Sequence, residues 1–504
     1  MKSKKTMIIL AFFYVFMFLT LCSLMSTFWI IDNFGNVKVD QILFTLFSSL
    51  DGTDMTVVLS YVIKAIIVPL FCCLAVGYLH YRFRHKMKMK IQLLASAFVF
   101  VSLAVSLCFA NESFGLLNYV KNSSQKTDIY NAPIKEKVEE KAYDGDDSII
   151  YQDVGSTVIS GEETNNLIYI YLESYENAFM DQANGGLKTV NCMPELTQLA
   201  QSNISFSHNE QMGGAIEFAG TTWTIASMVA QTTGLPLKTD VLNNMDQYDS
   251  FMPGAITIGD VLHKRGYIQE LLICSQKEFA GTDKLFLQHG QYQIVDIDDL
   301  KAQGRVNKNE KTDWGANDQC LFRNAKEELT KLAATGQKFN LTMATLDCHM
   351  PSGYQCEQCP DNYDNTYENI YACQSKQVNE FIQWCQQQTW YSHTTIVIVG
   401  DHPSMATDYT DFISSDYTRT TYNCIVNSKV TTSHIKNRTF TAMDMYPTTL
   451  AAMGFEIKGN KLGLGTNLFS PLATVTEKYG VDYIEQEVQK SSDYLDEKIY
   501  QFNQ

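Results

Sequence analysis

The chain has 504 residues, 45% of them hydrophobic and 19% charged, with a formal net charge of −16. That length calls for more than one structural region, and the acidic balance excludes a broad nucleic-acid-binding surface. The apolar content is uneven along the chain. Residues 7–31, "MIILAFFYVFMFLTLCSLMSTFWII", carry no charge and are long enough to cross a bilayer, which takes about 20 apolar residues. A second run, 57–80, holds one lysine, Lys64, expected to stretch its ammonium to the outer interface. A third, 91–111, is again uncharged. The first run exceeds a signal-peptide core of roughly 7–15 residues and two more follow it, so it reads as a retained helix. Lys2, Lys4 and Lys5 at the start, and five Lys or Arg in "YRFRHKMKMK" between the second and third runs, assign both segments to the cytoplasmic side. Three spans then put everything after about residue 112 on the outside.

Residues 1–111 thus form a transmembrane region, and 112–163 a polar membrane-proximal linker with a helix expected at 133–142. From 164 short apolar runs ("NLIYIYLES", "YIQELLICS", "FNLTMATLDCHMP", "TTIVIVGDHP") alternate with helical patterns ("MPELTQLAQS", "TWTIASMVAQTTG", "AITIGDVLHKRG", "DQCLFRNAKEELTKLAATG"). This predicts an α/β domain over 164–470, its central sheet lying between helices. Residues 471–504 read as a closing amphipathic helical tail. Of 13 cysteines four lie in the spans. "CEQCPDNYDNTYENIYAC" holds Cys356, Cys359 and Cys373, without the second Cys-x-x-Cys pair of a zinc ribbon. Disulfides are the expectation for an exported domain, and the nine outside cysteines leave at least one thiol unpaired.

In open α/β sheets ligands bind beyond the carboxyl ends of the strands. Three apolar strands here end in Glu173, in Asp347 and His349, and in Asp401 and His402. Carboxylate and imidazole donors of this kind suit a divalent cation such as Mn²⁺, Mg²⁺ or Zn²⁺. A loop with Gly213, Gly214 and Gly220 leads into a helix expected to start near Thr221 and end before Gly234. Thr221 or Thr222 either caps that helix or faces a phosphate at its N-terminus. A cation beside Thr221 would turn its hydroxyl into a nucleophile.

Together "AGTTWTIASMVAQTTGLPL", "YIQELLICSQKEFAGTDKLFLQHGQY", "TLDCHMPSGY", "IVIVGDHPSMATD" and "TAMDMYPTTLAAMGFEIKGNKLGLGTNLFS" resemble, in order, the motifs of one group. These are the membrane-anchored phosphoglycerol transferases of the alkaline phosphatase/sulfatase superfamily, which include lipoteichoic acid synthases and transferases that decorate periplasmic glucans. The resemblance covers about 164–470. It implies that Glu173, Thr221, Asp401 and His402 hold one cation, Mn²⁺ foremost. Thr221, from its spacing to Gly234-Leu-Pro, would be the nucleophile. His349 would contact the substrate phosphate or protonate the leaving alkoxide, and Trp314 and Asp318 would stand near the substrate. At "EFAGTD" relatives often place a basic residue where this chain has Thr282; Lys284 and His289 are the substitutes at hand. The implied reaction moves glycerol phosphate from phosphatidylglycerol to a surface or periplasmic glycan, on the outer side of a bacterial cytoplasmic (inner) membrane. Phosphoethanolamine transfer to lipid A or a glycan is the alternative. A sulfatase-like hydrolase or a non-catalytic exported domain fits less well.

Overall fold

The computed structural model describes residues 2–35, 37–47, 55–83, 89–130, 151–238, 250–312, 314–350 and 352–501. The chain divides into two units, one of Met1–Val39 with Thr53–Lys121, the other of Asp40–Gly52 with Asn122–Gln504. In the first, three helical segments are long and apolar enough to cross a membrane: Ile8–Phe34, Met55–Arg82 and Ile91–Phe114. Each carries large apolar side chains on its outer surface, among them Phe12, Phe71 and Phe98, as a helix solvated by lipid requires. Lys64 falls in a π-helical stretch, Val62–Ile67, inside the second. The helix expected at 133–142 lies outside the described residues.

The second unit is built on a six-stranded sheet. We label its strands β1 (Asn166–Leu172), β2 (Ile268–Ile273), β3 (Gln293–Val295), β4 (Phe339–Ala344), β5 (Thr394–Gly400) and β6 (Asn423–Val426). Their order is β3-β2-β4-β1-β5-β6. All neighbours pair in parallel except β5 and β6. In β1 Leu167, Tyr169 and Tyr171 join one core with Ile225, Val229 and Leu450, so alternation sends Ile168 and Ile170 to the opposite, equally buried face. A strand covered on both sides reads as an unbroken apolar run, which is why "LIYIYL" was legible.

Helix Thr224–Thr233 packs against Met445–Ala452, while helix Thr366–Gln386 packs against Pro194–Ser202 and Asp318–Ala334. The 21-residue helix Thr366–Gln386 carries no clear apolar stripe in sequence, because Asn369, Gln374, Ser375 and Gln377 sit among its buried residues. The tail is helical but not one helix. It breaks into Val475–Tyr479 and Val481–Gln489 at Gly480, whose φ of 86° no helix accommodates. A π-helical turn, Leu495–Ile499, follows. None of the 13 cysteines forms a disulfide bond.

Candidate active site

β1 lies at the centre, paired on one side with β4 and on the other with β5. Register then fixes what meets at their carboxyl ends. Leu172 is opposite Gly400 and Tyr171 opposite Ala344, so the next residues, Glu173 and Asp401, emerge side by side, with the loop that carries Asp347 and His349 on the other flank. Glu173, Asp401 and His402 are all buried, and each offers one ligand atom within 4.8 Å of the others. Nε2 of His402 is 3.6 Å from Glu173 Oε1 and 3.4 Å from Asp401 Oδ2.

Backbone strain and local hydrogen bonds hold this geometry. Ser174 follows Glu173 with φ at 55°, a left-handed conformation that costs a non-glycine residue roughly 1–3 kcal/mol and persists only under constraint. The constraint is visible: Ser174 N–H donates to Asp401 Oδ1 (2.8 Å), its hydroxyl donates to Glu173 Oε1 (2.7 Å), and its carbonyl accepts from the Tyr371 hydroxyl. Asp401 Oδ1 also accepts from His402 N–H at 2.7 Å. His402 Nδ1 lies 3.0 Å from the Pro403 carbonyl, which can only accept. In the neutral ring the proton therefore sits on Nδ1, and Nε2 is the nitrogen turned toward the carboxylates.

Two carboxylates packed this closely strain each other electrostatically. Burial, and then the Glu173 charge, push Asp401 up to about 7. Burial also pushes Glu173 up, but His349 and His402 outweigh it and leave Glu173 below its ordinary value. His402 is pressed down by burial and lifted further by Asp401 and Glu173. Asp401 Oδ2 is buried and makes no hydrogen bond. An orphaned carboxylate oxygen, a second carboxylate and an imidazole lone pair converging in a buried space fit a divalent cation.

The threonine hydroxyl beside these three groups belongs to Thr224, not to Thr221. The helix starts at Thr224 after an extended Trp223, three residues later than the spacing predicts. Thr224 Oγ1 donates to Glu173 Oε2 at 3.3 Å and stands 3.5 Å from His402 Nε2. Thr221 is 0% exposed; its hydroxyl donates to the Phe218 carbonyl (3.0 Å) and accepts from Phe218 N–H (3.1 Å). It closes the turn that leads into the helix. Thr224, by contrast, is only half-buried.

His349 and Trp314 are brought together, their ring centroids 4.4 Å apart, and both stay half-buried. His349 Nδ1 donates to the Met350 carbonyl at 2.7 Å, which turns Nε2 into the exchangeable nitrogen. Asp318 takes another role. It is buried, accepts from Leu346 N–H (2.7 Å) and Gln374 Nε2 (2.7 Å), and its own N–H donates to Asp347 Oδ1 (3.2 Å). From this buried position it pins the loop that presents His349; burial pushes it up to about 6. Asp347, almost wholly buried beside it, is raised by burial and by the Asp318 charge. Lys284 stands half-buried in helix Thr282–Gln288.

His289 is likewise structural. Nδ1 meets Asp260 Oδ2 at 3.1 Å and Nε2 meets the Phe251 carbonyl at 2.7 Å, so no ring nitrogen is left for a phosphate. Both partners accept, and satisfying both requires the imidazolium. Burial lowers the His289 affinity for its proton, but Asp260 and the Phe251 carbonyl more than reverse this and leave it raised. A raised folded value stabilises fully below the unfolded value, about 6.5, and the gain is lost as pH climbs through the folded one. The melting-temperature gap between the wild type and His289→Ala is accordingly expected to narrow from about pH 6 to about pH 9, as read by thermal denaturation.

Two contributors were invisible in the sequence because their partners are remote. Asp40, in helix Val39–Phe47, accepts from Gly220 N–H at 2.7 Å, at a glycine whose φ of 80° admits no side chain comfortably. On the same helix the Phe44 ring lies 5.4 Å from that of Trp223, tilted against it. Arg419 grips the fully buried Glu176 through two nitrogens and also donates to the Ser404 carbonyl at 2.6 Å. Glu176 in turn accepts from Ser404 N–H at 3.1 Å, so the pair ties the segment after β1 to the segment after β5.

The chain is similar to known proteins. Phosphoglycerol transferase I of Salmonella choleraesuis (strain SC-B67) is 29% identical over 348 residues, covering 67% of this chain and 43% of that protein. Phosphoglycerol transferase I of Citrobacter koseri (strain ATCC BAA-895 / CDC 4225-83 / SGSC4696) is 31% identical over 280 residues, 54% of this chain and 35% of that protein. The chain thus spans less than half the length of these relatives. A crystal structure of an alkaline phosphatase superfamily protein from Vibrio parahaemolyticus aligns at 20% identity with a TM-score of 0.49, covering 72% of this chain and 79% of that one. The Sulfatase family model matches residues 165–455, more than half of the sequence and all of the strand ends described above: the chain belongs to the sulfatase family.

Proposed function

We propose that this protein is a membrane-anchored transferase that moves glycerol phosphate from phosphatidylglycerol to a glycan hydroxyl through a phosphorylated threonine, Thr224. The observation that carries the reading is the Thr224 hydroxyl, half-exposed and 3.3 Å from Glu173 within reach of His402. Similarity to two phosphoglycerol transferases supports the choice of glycerol phosphate. Glu173, Asp401 and His402 would hold one divalent cation, Mn²⁺ foremost, which when bound supplies charge that acidifies a nearby hydroxyl and offsets the phosphoryl oxygens.

The remaining chemistry rests on the chain's own groups. Thr224 Oγ1 passes its proton along its hydrogen bond to Glu173 Oε2 and forms a bond to the donor phosphorus, while the bond from phosphorus to the diacylglycerol oxygen breaks. His349, with Nδ1 committed to Met350, delivers a proton from Nε2 to the departing oxygen. Trp314, tilted against that ring at 4.4 Å, limits how far it can turn. The acceptor hydroxyl then takes Thr224's place on phosphorus, His349 recovers its proton from it, and the departing Thr224 oxygen regains its own from Glu173. The three apolar segments and the basic residues of 2–5 and 81–90 support a multi-pass protein of the cytoplasmic membrane with the catalytic unit outside.

The test is mass spectrometry of the full chain after incubation with phosphatidylglycerol vesicles and Mn²⁺. A glycerophosphate adduct on Thr224 is expected, absent after chelation. An adduct formed only from phosphatidylethanolamine would reassign the donor, and a metal-replete protein acquiring no adduct would overturn the reading.

A further inference from the structure

The loop that carries His349 runs on into three cysteines the proposed reaction does not use. Cys356 and Cys359 sit at a turn closed by Cys359 N–H donating to the Cys356 carbonyl at 3.1 Å. Cys373 projects from the buried face of helix Thr366–Gln386. Cys356 and Cys373 are 5% and 2% exposed, and Cys359 keeps more access to solvent. The sulfurs of Cys356 and Cys373 are 3.6 Å apart, those of Cys359 and Cys356 3.7 Å, and all three lie within 4.8 Å of one another. Four bonds of about 2.3 Å at tetrahedral angles put the sulfurs of a zinc thiolate site about 3.8 Å apart. One turn along the helix from Cys373, the buried Gln377 donates its amide Nε2 to the Cys373 sulfur at 3.3 Å, the kind of outer contact that steadies a metal-bound thiolate.

We infer that Cys356, Cys359 and Cys373 form a second metal site, separate from the Glu173 centre, that takes a soft divalent cation, Zn²⁺, with water as its fourth ligand. Three sulfurs converge where a disulfide would use two and strand the third. Binding converts three thiols to thiolates and releases their protons to solvent; no electron transfer is involved. The site fastens both ends of one stretch. The segment after β4 holds His349 through Gly353 N–H donating to the His349 carbonyl (2.9 Å) and Tyr354 N–H to the Asp347 carbonyl (2.7 Å). Zinc would clamp the far end of that segment to helix Thr366–Gln386. Its role is to fix the loop rather than to take part in transfer.

The experiment uses the full-length chain in detergent, purified under reducing conditions without chelator. Elemental analysis is expected to find about one equivalent of zinc that survives Asp401→Ala, which empties the other centre, and that disappears in Cys359→Ser. In the wild-type protein, X-ray absorption at the zinc edge should show sulfur neighbours, and Co²⁺ substituted for zinc should show thiolate charge-transfer absorption. These wild-type readings do not depend on any variant folding, nor on whether Thr224 is a nucleophile. The inference is overturned if non-reducing peptide mapping joins two of the three sulfurs to each other, or if the thiols are reduced and hold neither Zn²⁺ nor Co²⁺.

Discussion

Replacing Thr224 by alanine is expected to reduce transfer by a factor on the order of 10⁴–10⁶, as removal of a covalent nucleophile does, and to abolish the glycerophosphate adduct. The loss follows from position: of the two hydroxyls hydrogen-bonded to Glu173, that of Ser174 is buried and that of Thr224 is half-exposed, and alanine leaves a methyl group that cannot form the bond to phosphorus. Thr221→Ala separates the two threonines by a different signature. Its hydroxyl is used twice on Phe218, so its removal should cost about 1–2 kcal/mol of stability while most of the transfer rate survives. Steady-state assays with vesicle-borne phosphatidylglycerol, run beside thermal melts, read both. If Thr221→Ala were the inactive variant and Thr224→Ala the active one, the assignment would be reversed.

The second large effect concerns stability. Arg419→Ala strands the Glu176 carboxylate, 0% exposed, without its cation. Breaking a buried pair costs about 3–5 kcal/mol, and the lower end applies because the Arg419 side chain is itself 34% exposed. Adding Glu176→Gln to that variant removes the stranded charge and should restore part of the loss, since a neutral amide is cheaper to bury. The same pair holds both Ser404 backbone groups, two residues past His402, so metal affinity should fall by roughly 10–100-fold. Chemical denaturation and metal titration of the two variants test this; an Arg419→Ala protein that unfolds with the wild type would refute it.

The cluster of strand-end carboxylates and His402 was legible because its information is local. A run of apolar residues covered on both faces, then a carboxylate or an Asp-His pair, marks where a parallel strand leaves the sheet, and β1 and β5 both follow that pattern. Which threonine stands beside them was not, because Thr221, Thr222 and Thr224 lie within four positions of one another. Which of them opens the helix depends on Trp223 being extended, and that is a tertiary outcome. Asp318 and His289 looked like substrate contacts for the same reason. Their partners, Leu346 and Gln374 for one, Asp260 and Phe251 for the other, are distant in sequence, and a polar residue near a motif reads alike whether it faces a ligand or a buried backbone.

The bond from Gly220 to Asp40 has a practical consequence for dissection of this molecule. Asp40 precedes the second apolar segment, more than seventy positions before the linker at 112–163. A soluble fragment begun at that linker would therefore leave behind a piece of its own scaffolding. It would uncover the Trp223 ring next to Thr224, and kinetic constants measured on such a fragment would describe a wounded enzyme.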